Sequence, residues 1–171
     1  MSAMSDHAIV VRPARTADVT AIRELIRAYT DDGRLLAKAQ VTLFESVQEF
    51  VIAERDAQIV GCGALHVMWE DLAEVRSLAV LPELQGHGVG SAMLTTLLER
   101  ARAIGVGRVF CLTFEVDFFA SHGFVEIDST PVSHDVFQQL LQSYDEGVAE
   151  FLDLERVKPN TLGNRRMLLT L

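Results

Sequence analysis

Apolar positions along the 171-residue chain change period several times, and each change marks an element. Residues 8–12 form a short β-rich run that Pro13 closes. A helix pattern follows from Thr16, a good N-cap residue, with Val19, Ile22, Ile26 and Tyr29 on one face and Arg23, Glu24 and Arg27 elsewhere. Gly33 breaks that pattern, and residues 42–50 suit another short helix. FVIAER (50–55) and QIVGCGALHVM (58–68) are β-branched and apolar around Asp56, which predicts a hairpin. AEVRSLAV (73–80) is a third strand, ended by Pro82, which cannot donate to a ladder.

The clearest helix is 91–104, where Leu94, Leu97, Leu98, Ala101 and Ile104 make one apolar stripe and Gly105 stops it. RVFCLT (108–113) reads as a buried strand, 116–122 as a short helix, and Gly123 leads into FVEID. Strand, loop, helix and strand make a right-handed crossover, so the strands near Leu78 and Leu112 are expected to be parallel neighbours in a mixed sheet. Beyond Ser133, Val136, Phe137, Leu140, Leu141 and Tyr144 have helical spacing. GVAEFLDLERVKPNTLGN has no period and reads as an extended excursion, and residues 166–171 close the chain as a strand.

Composition narrows the class. With 49% apolar residues and no low-complexity segment, the chain is expected to fold as one domain over 1–171. A net charge of -9 and the absence of a Lys/Arg run argue against a nucleic-acid partner, because a polyanion needs a compensating basic face. No segment reaches the ~20 apolar residues of a membrane span and the first residues do not read as a secretion signal, so no membrane partner and a cytoplasmic location are expected. Cys62 and Cys111 sit in apolar strand-like runs, as buried thiols of a reducing compartment do.

One loop invites chemistry. LPELQGHGVGSAML (81–94) lies between a strand and a helix, with glycines at 86, 88 and 90. A P-loop needs a lysine after the last glycine, and this loop has none; the dinucleotide fingerprint needs Gly where Ser91 stands. What remains is Gln85-x-x-Gly88-x-Gly90 before a helix whose first N–H groups lack internal partners, an anion cradle made of backbone. A bare structural glycine turn is the alternative.

The string EVRSLAVLPELQGHGVGSAMLTTLLERARAIG, with RVFCLT and FFASHGF, resembles the acetyl-CoA-binding half of the GNAT superfamily of N-acetyltransferases, over roughly residues 8–128. The resemblance implies an α/β (α+β) GNAT fold: a mixed, mostly antiparallel sheet flanked by helices, with a parallel β4/β5 splay. It implies acetyl-CoA as cosubstrate, with the pantetheine arm along Leu78, Ala79 and Val80. The pyrophosphate would lie on Gln85, Gly86, His87, Gly88, Val89, Gly90 and Ser91.

FVIAERDAQIVGCGALHV and the late NRRMLLTL are similar to the acetyltransferase domain of N-acetylglutamate synthases, which acetylate the α-amino group of glutamate at the start of arginine synthesis. Longer members carry a kinase-like domain in front, so the likeness implies a stand-alone catalytic domain. Glu74 aligns with the strand glutamate that serves as general base in related enzymes; Glu70, Asp71 and Glu115 are the next carboxylates to consider. Phe119 stands where many members have a proton-donating tyrosine, which leaves the thiolate to depart unprotonated or to another donor. An amino-acid acceptor presents a carboxylate, and the resemblance puts Lys38, in LLAK, and Arg165 against it, with glutamate or glutamine as acceptor. Lys38 stands where the pattern has arginine, so it offers a charge without the two-pronged fork.

His66, His87 and His122 have no metal-ligand spacing, so no metal is expected. Residues 143–160 suit a lid or a dimer contact, and a homodimer is expected by analogy alone. Two other readings stay open: acetylation of another amine or a protein N-terminus, and a non-catalytic acetyl-CoA sensor.

Overall fold

A computed structural model describes residues 7–31, 33–154 and 163–171. Residues 1–6, 32 and 155–162 lie outside the described part, and with them part of the expected excursion and of the 143–160 segment.

The strands are β1 (Val10–Pro13), β2 (Phe50–Arg55), β3 (Gln58–Trp69), β4 (Leu72–Val80), β5 (Arg108–Thr113), β6 (Val125–Ile127) and β7 (Arg165–Thr170). They form one sheet in the order β1-β2-β3-β4-β5-β7-β6, antiparallel except for the parallel β4–β5 pair. The helices are α1 (Val19–Thr30), α2 (Gln40–Glu45), α3 (Val89–Ala103), α4 (Val116–Ser121), α5 (His134–Leu140) and α6 (Glu146–Phe151).

Strand alternation sorts side chains onto two faces. Val51, Ala53, Leu65, Ala73, Val75, Val109 and Cys111 pack with Met93, Leu94 and Leu97 of α3 and with Phe119 of α4. On the opposite face, Ile52, Cys62, Ala64 and Ala79 pack against α1 and Leu43 of α2. Further along that face, Met68, Leu72 and Phe110 pack against Leu140 of α5 and Val148 and Phe151 of α6. Each fully buried large side chain contributes about 1.5–3 kcal/mol, so these clusters hold the helices against the two faces of the sheet.

A β-bulge changes the parity of β4. Cys62 pairs with Ala79 and Ala64 with Arg76, so Gly63 alone faces both Ser77 and Leu78. Ser77 takes φ 54, a left-handed conformation that costs a non-glycine residue energy. The Cys62 thiol donates to its carbonyl at 3.4 Å. Bulges bend a strand, and β4 leaves β5 just before this one: the parallel register covers Leu72↔Arg108, Ala73↔Val109 and Glu74↔Phe110 only. Leu78 and Leu112 are therefore not ladder neighbours as expected; the strands are parallel at their starts and splayed at their ends.

Other boundaries move for local reasons. Thr16 opens a 3-10 turn, and α1 starts after Asp18, whose carboxylate is taken by the Arg15 N–H at 2.7 Å and by Arg12 at 2.8 and 3.0 Å. Residues 42–50 divide into the end of α2, a 3-10 turn (Val47–Glu49) and the first residue of β2. The loop helix begins at Val89 rather than Ser91, with Gly88 as its left-handed N-cap at φ 83. The stretch read as an extended excursion contains α6, whose N-cap Asp145 accepts from the Val148 N–H at 2.9 Å. Tyr144, counted with the preceding stripe, is 98% exposed.

Candidate active site

The splay between β4 and β5 opens a cavity of about 630 Å³. Its walls are Val75–Val80 of β4, Leu112 and Thr113 of β5, Phe118 and Phe119 of α4, and the glycine loop. Of the sequence-expected coenzyme residues, Leu78, Ala79, Val80, Gln85, Gly86, Gly88, Gly90 and Ser91 line it. His87 and Val89 do not: His87 is exposed on the loop, and Val89 is turned into the α3 core. Gly86 and Gly88 adopt φ 77 and 83, whereas Gly90 lies inside the helix, where a Cβ would come 3.4 Å from the Phe118 ring. The first two glycines serve the turn and the third keeps the helix start close to α4.

At the mouth, the Tyr29 hydroxyl donates to the Val80 carbonyl and accepts from Gln85 Nε2 at 2.5 Å. Arg34 stacks over the Tyr29 ring, 4.7 Å from its centroid. α1 thus fixes both the free end of β4 and the start of the loop.

A smaller cavity of about 60 Å³ adjoins the cleft, lined by Arg34 and Lys38 before α2, Glu74 and Arg76 of β4, and Gly147 and Glu150 of α6. Arg34, Leu35, Val75, Arg76, Ser77 and Leu112 border both spaces, so an acceptor in the small cavity would face a thioester in the large one. Glu74, which could have been a solvated strand-end carboxylate, is 5% exposed in a paired part of β4. Burial pushes its carboxyl above the ordinary carboxylate range; Arg76, His66 and Lys38 pull it down and Asp145 pushes it further up. Burial and the charge of Arg76 draw the Lys38 ammonium down. Glu150, 8% exposed, is pushed up to about 8 by burial and by the charge of Glu74.

Arg165 is not brought to either cavity. It starts β7 on the open side and pairs with Glu126 of β6 at 2.8 Å, both side chains being largely exposed. Its neighbour Arg166 points inward, donating to the Glu150 and Phe151 carbonyls and lying over the Phe110 ring at 5.2 Å. Of the alternative carboxylates, Glu115 borders the large cavity, whereas Glu70 and Asp71 are exposed on the β3–β4 turn, Asp71 paired to Arg108 at 3.0 Å. Burial raises both thiols, Cys62 to about 12, so they stay protonated core groups. Among the described residues, no group of three His, Cys, Asp or Glu side chains could hold a metal ion, and no helix is long and apolar enough to cross a membrane.

Residues 19–126 match the acetyltransferase (GNAT) family. The chain belongs to that family. The acetyltransferase is 57% identical over 166 residues to an amino-acid acetyltransferase of Mycobacterium tuberculosis, covering 95% of this chain and 94% of the relative. It is 36% identical over 118 residues to an amino-acid acetyltransferase of Neisseria meningitidis, covering 68% of this chain but 27% of that longer protein. Among solved structures it superposes on Rv2747 of M. tuberculosis, crystallised with CoA and NLQ, with a TM-score of 0.92, 56% identity and coverage of 95% and 99%. It also superposes on the N-acetylglutamate synthase of Neisseria gonorrhoeae, crystallised with coenzyme A and N-acetyl-glutamate. There the TM-score is 0.76, the identity 25% and the coverage 98% of this chain and 36% of that one.

Several residues of the acetyltransferase's small cavity escaped the sequence reading. Arg76 follows Glu74 by two on a strand, and that spacing alone puts it on the same face. Glu150 of the cavity, and Asp145 bound to Arg76 beside it, carry no comparable signal, since they reach this place only because α6 folds back over β4.

Proposed function

We propose that the acetyltransferase moves the acetyl group of acetyl-CoA to the α-amino group of free L-glutamate or L-glutamine, the first step of arginine synthesis, inside the cytoplasm. The observation that carries this reading is the small cavity beside the coenzyme cleft, where a buried carboxylate sits among Lys38, Arg34 and Arg76. A free amino acid has the complementary charges: an ammonium for Glu74 and a carboxylate for Lys38 and Arg34, Arg76 being taken by Asp145. A volume of about 60 Å³ is room for about two waters, enough for the reacting amino end of an acceptor whose remainder lies in the adjoining cleft.

Each step falls to a residue in place. The stretch of β4 beyond Glu74 has no β5 partner, so it can pair with the amides of the pantetheine arm as with another strand. The N–H groups at the start of α3 and around Gly86 and Gly88 take the pyrophosphate. Glu74 accepts the ammonium proton, directly or through water, and the freed amine attacks the thioester carbonyl. A backbone N–H near Leu78, turned by the bulge at Ser77, donates to the developing oxyanion. Phe119, buried at the cleft and packed edge-on against Phe118 and Phe124, has no proton to give. The departing sulfur leaves as thiolate, which a thiol pKa near ~8.5 allows.

Thiol release from acetyl-CoA, followed over the twenty amino acids one at a time, tests the reading. Release confined to L-glutamate and L-glutamine is expected. Tight coenzyme binding with no release from any amino acid would instead identify a sensor.

A further inference from the structure

Arg76 stands where a counter-ion for Glu74 is expected, yet its guanidinium is aimed elsewhere. It makes a two-pronged pair with Asp145, Nη1 to Oδ2 at 2.9 Å and Nη2 to Oδ1 at 2.8 Å. Toward Glu74 it offers only long contacts, Nε to Oε1 at 3.4 Å and Nη2 to Oε2 at 3.5 Å, and buried Nε has no hydrogen-bond partner.

Asp145 is itself held rigidly. Its Oδ1 accepts from the Val148 N–H at 2.9 Å, and its own N–H donates to Ser143 Oγ at 3.1 Å. Gly147, in the first turn of α6, lies so near that a Cβ there would meet Arg76 Nη2 at 2.6 Å. The helix is laid against the guanidinium more closely than any side chain would allow.

We infer that Arg76 and Asp145 are coupled positioning residues for Glu74: Asp145 holds the guanidinium off the base, so that Glu74 has a partial counter-ion instead of a tight ion pair. The inference rests on Glu74 being the base. A carboxylate fully paired with arginine is a poor proton acceptor, and one buried with no cation stays protonated at neutral pH. A cation held at 3.4 Å by a second carboxylate lies between these limits.

The other groups around Glu74 are His66 on β3, Lys38 and Arg34 before α2, Glu150 on α6, Cys111 on β5 and Arg166 on β7. His66 Nδ1 meets Glu49 Oε1 at 2.6 Å, and its Nε2 lies 4.0 Å from Asp145 Oδ2, which ties β3 into the same network. None of these but Asp145 binds the Arg76 guanidinium among the described residues.

The test is the acid limb of kcat/KM for the acceptor against pH, measured on four full-length variants. Asp145→Asn keeps a good N-cap but loses the charge, so Arg76 turns to Glu74 and the limb moves to lower pH by about half a unit or more. Arg76→Gln removes the cation, and the limb moves to higher pH by about one unit or more. Arg76→Lys falls between Arg76→Gln and wild type and replaces it if Arg76→Gln does not fold. Glu74→Gln removes the limb. Opposite displacements for the aspartate and arginine variants support the inference. Displacement in one direction, or none, while Glu74→Gln still abolishes the limb would overturn it and leave the base assignment standing. A limb that survives Glu74→Gln would overturn the base assignment, and with it this inference.

Discussion

Glu74 is a carboxylate that strand pairing holds out of water and that neighbouring charges keep within reach of ionisation. Replacing it with glutamine is expected to lower kcat by about 10²–10⁴-fold, read as thiol release at saturating substrates, with the fold intact. Lys38 borders the same cavity, so Lys38→Met should raise KM for the amino acid and leave that for acetyl-CoA nearly unchanged. Arg165→Ala should change neither, because its partner is Glu126 at the surface, and exposed pairs contribute little. Residue by residue, the sequence yields what a short repeat or a strand period can carry. The loop glycines come from motif and spacing and Glu74 and Lys38 from the family resemblance, whereas the fact that Arg165 faces outward and Arg166 inward depends on which way β7 is turned, a matter of its pairing with β5 and β6.

Among the elements, the glycine loop separates backbone freedom from steric room. A Cβ at Gly88 would meet nothing within 4 Å, yet φ 83 is unfavourable for any other L-residue. Gly88→Ala is therefore expected to lose about 1–2 kcal/mol in urea unfolding and to raise KM for acetyl-CoA, through backbone strain alone. α1 and α3 were legible because each buries one face at a helical period, and β2, β3 and β4 because they are apolar, β-branched runs buried on both faces of the sheet. α6 was not: it has six residues, a glycine in its first turn, and buries the five from Gly147 through Phe151, leaving no polar face to set a period. The start of α3 was misplaced for a related reason, since Gly88 and Gly90 look alike in sequence but only one is left-handed.

For the molecule as a whole, burying acidic groups makes stability fall toward neutral pH. The carboxyl of Glu150 rises from its ordinary 4.5 to about 8 on folding, so between those values the unfolded chain has released a proton that the folded one keeps. Its share of stability is present below about pH 4.5 and lost as pH rises toward 8, with a slope approaching 1.4 kcal/mol per pH unit. Glu74 acts in the same direction, while Asp145, held low by Arg76 against burial, acts only in acid. Urea unfolding from pH 5 to 8 should show this decline, and Glu150→Gln should flatten part of it. The sheet's splay opens the large cleft along the free part of β4, and α6 closing over β4 beside it forms a small charged recess, the proposed acceptor site. On the proposed function the recess would distinguish a free amino acid from a chain terminus, because only the former brings its own α-carboxylate to the cations. The deciding measurement is kcat/KM for free L-glutamine and L-glutamate against the same residues at the N-terminus of a tripeptide. The free amino acids should be better by at least about a hundredfold, the worth of a charge-assisted pair lost in a closed site. Equal or better turnover of the tripeptides would contradict the account.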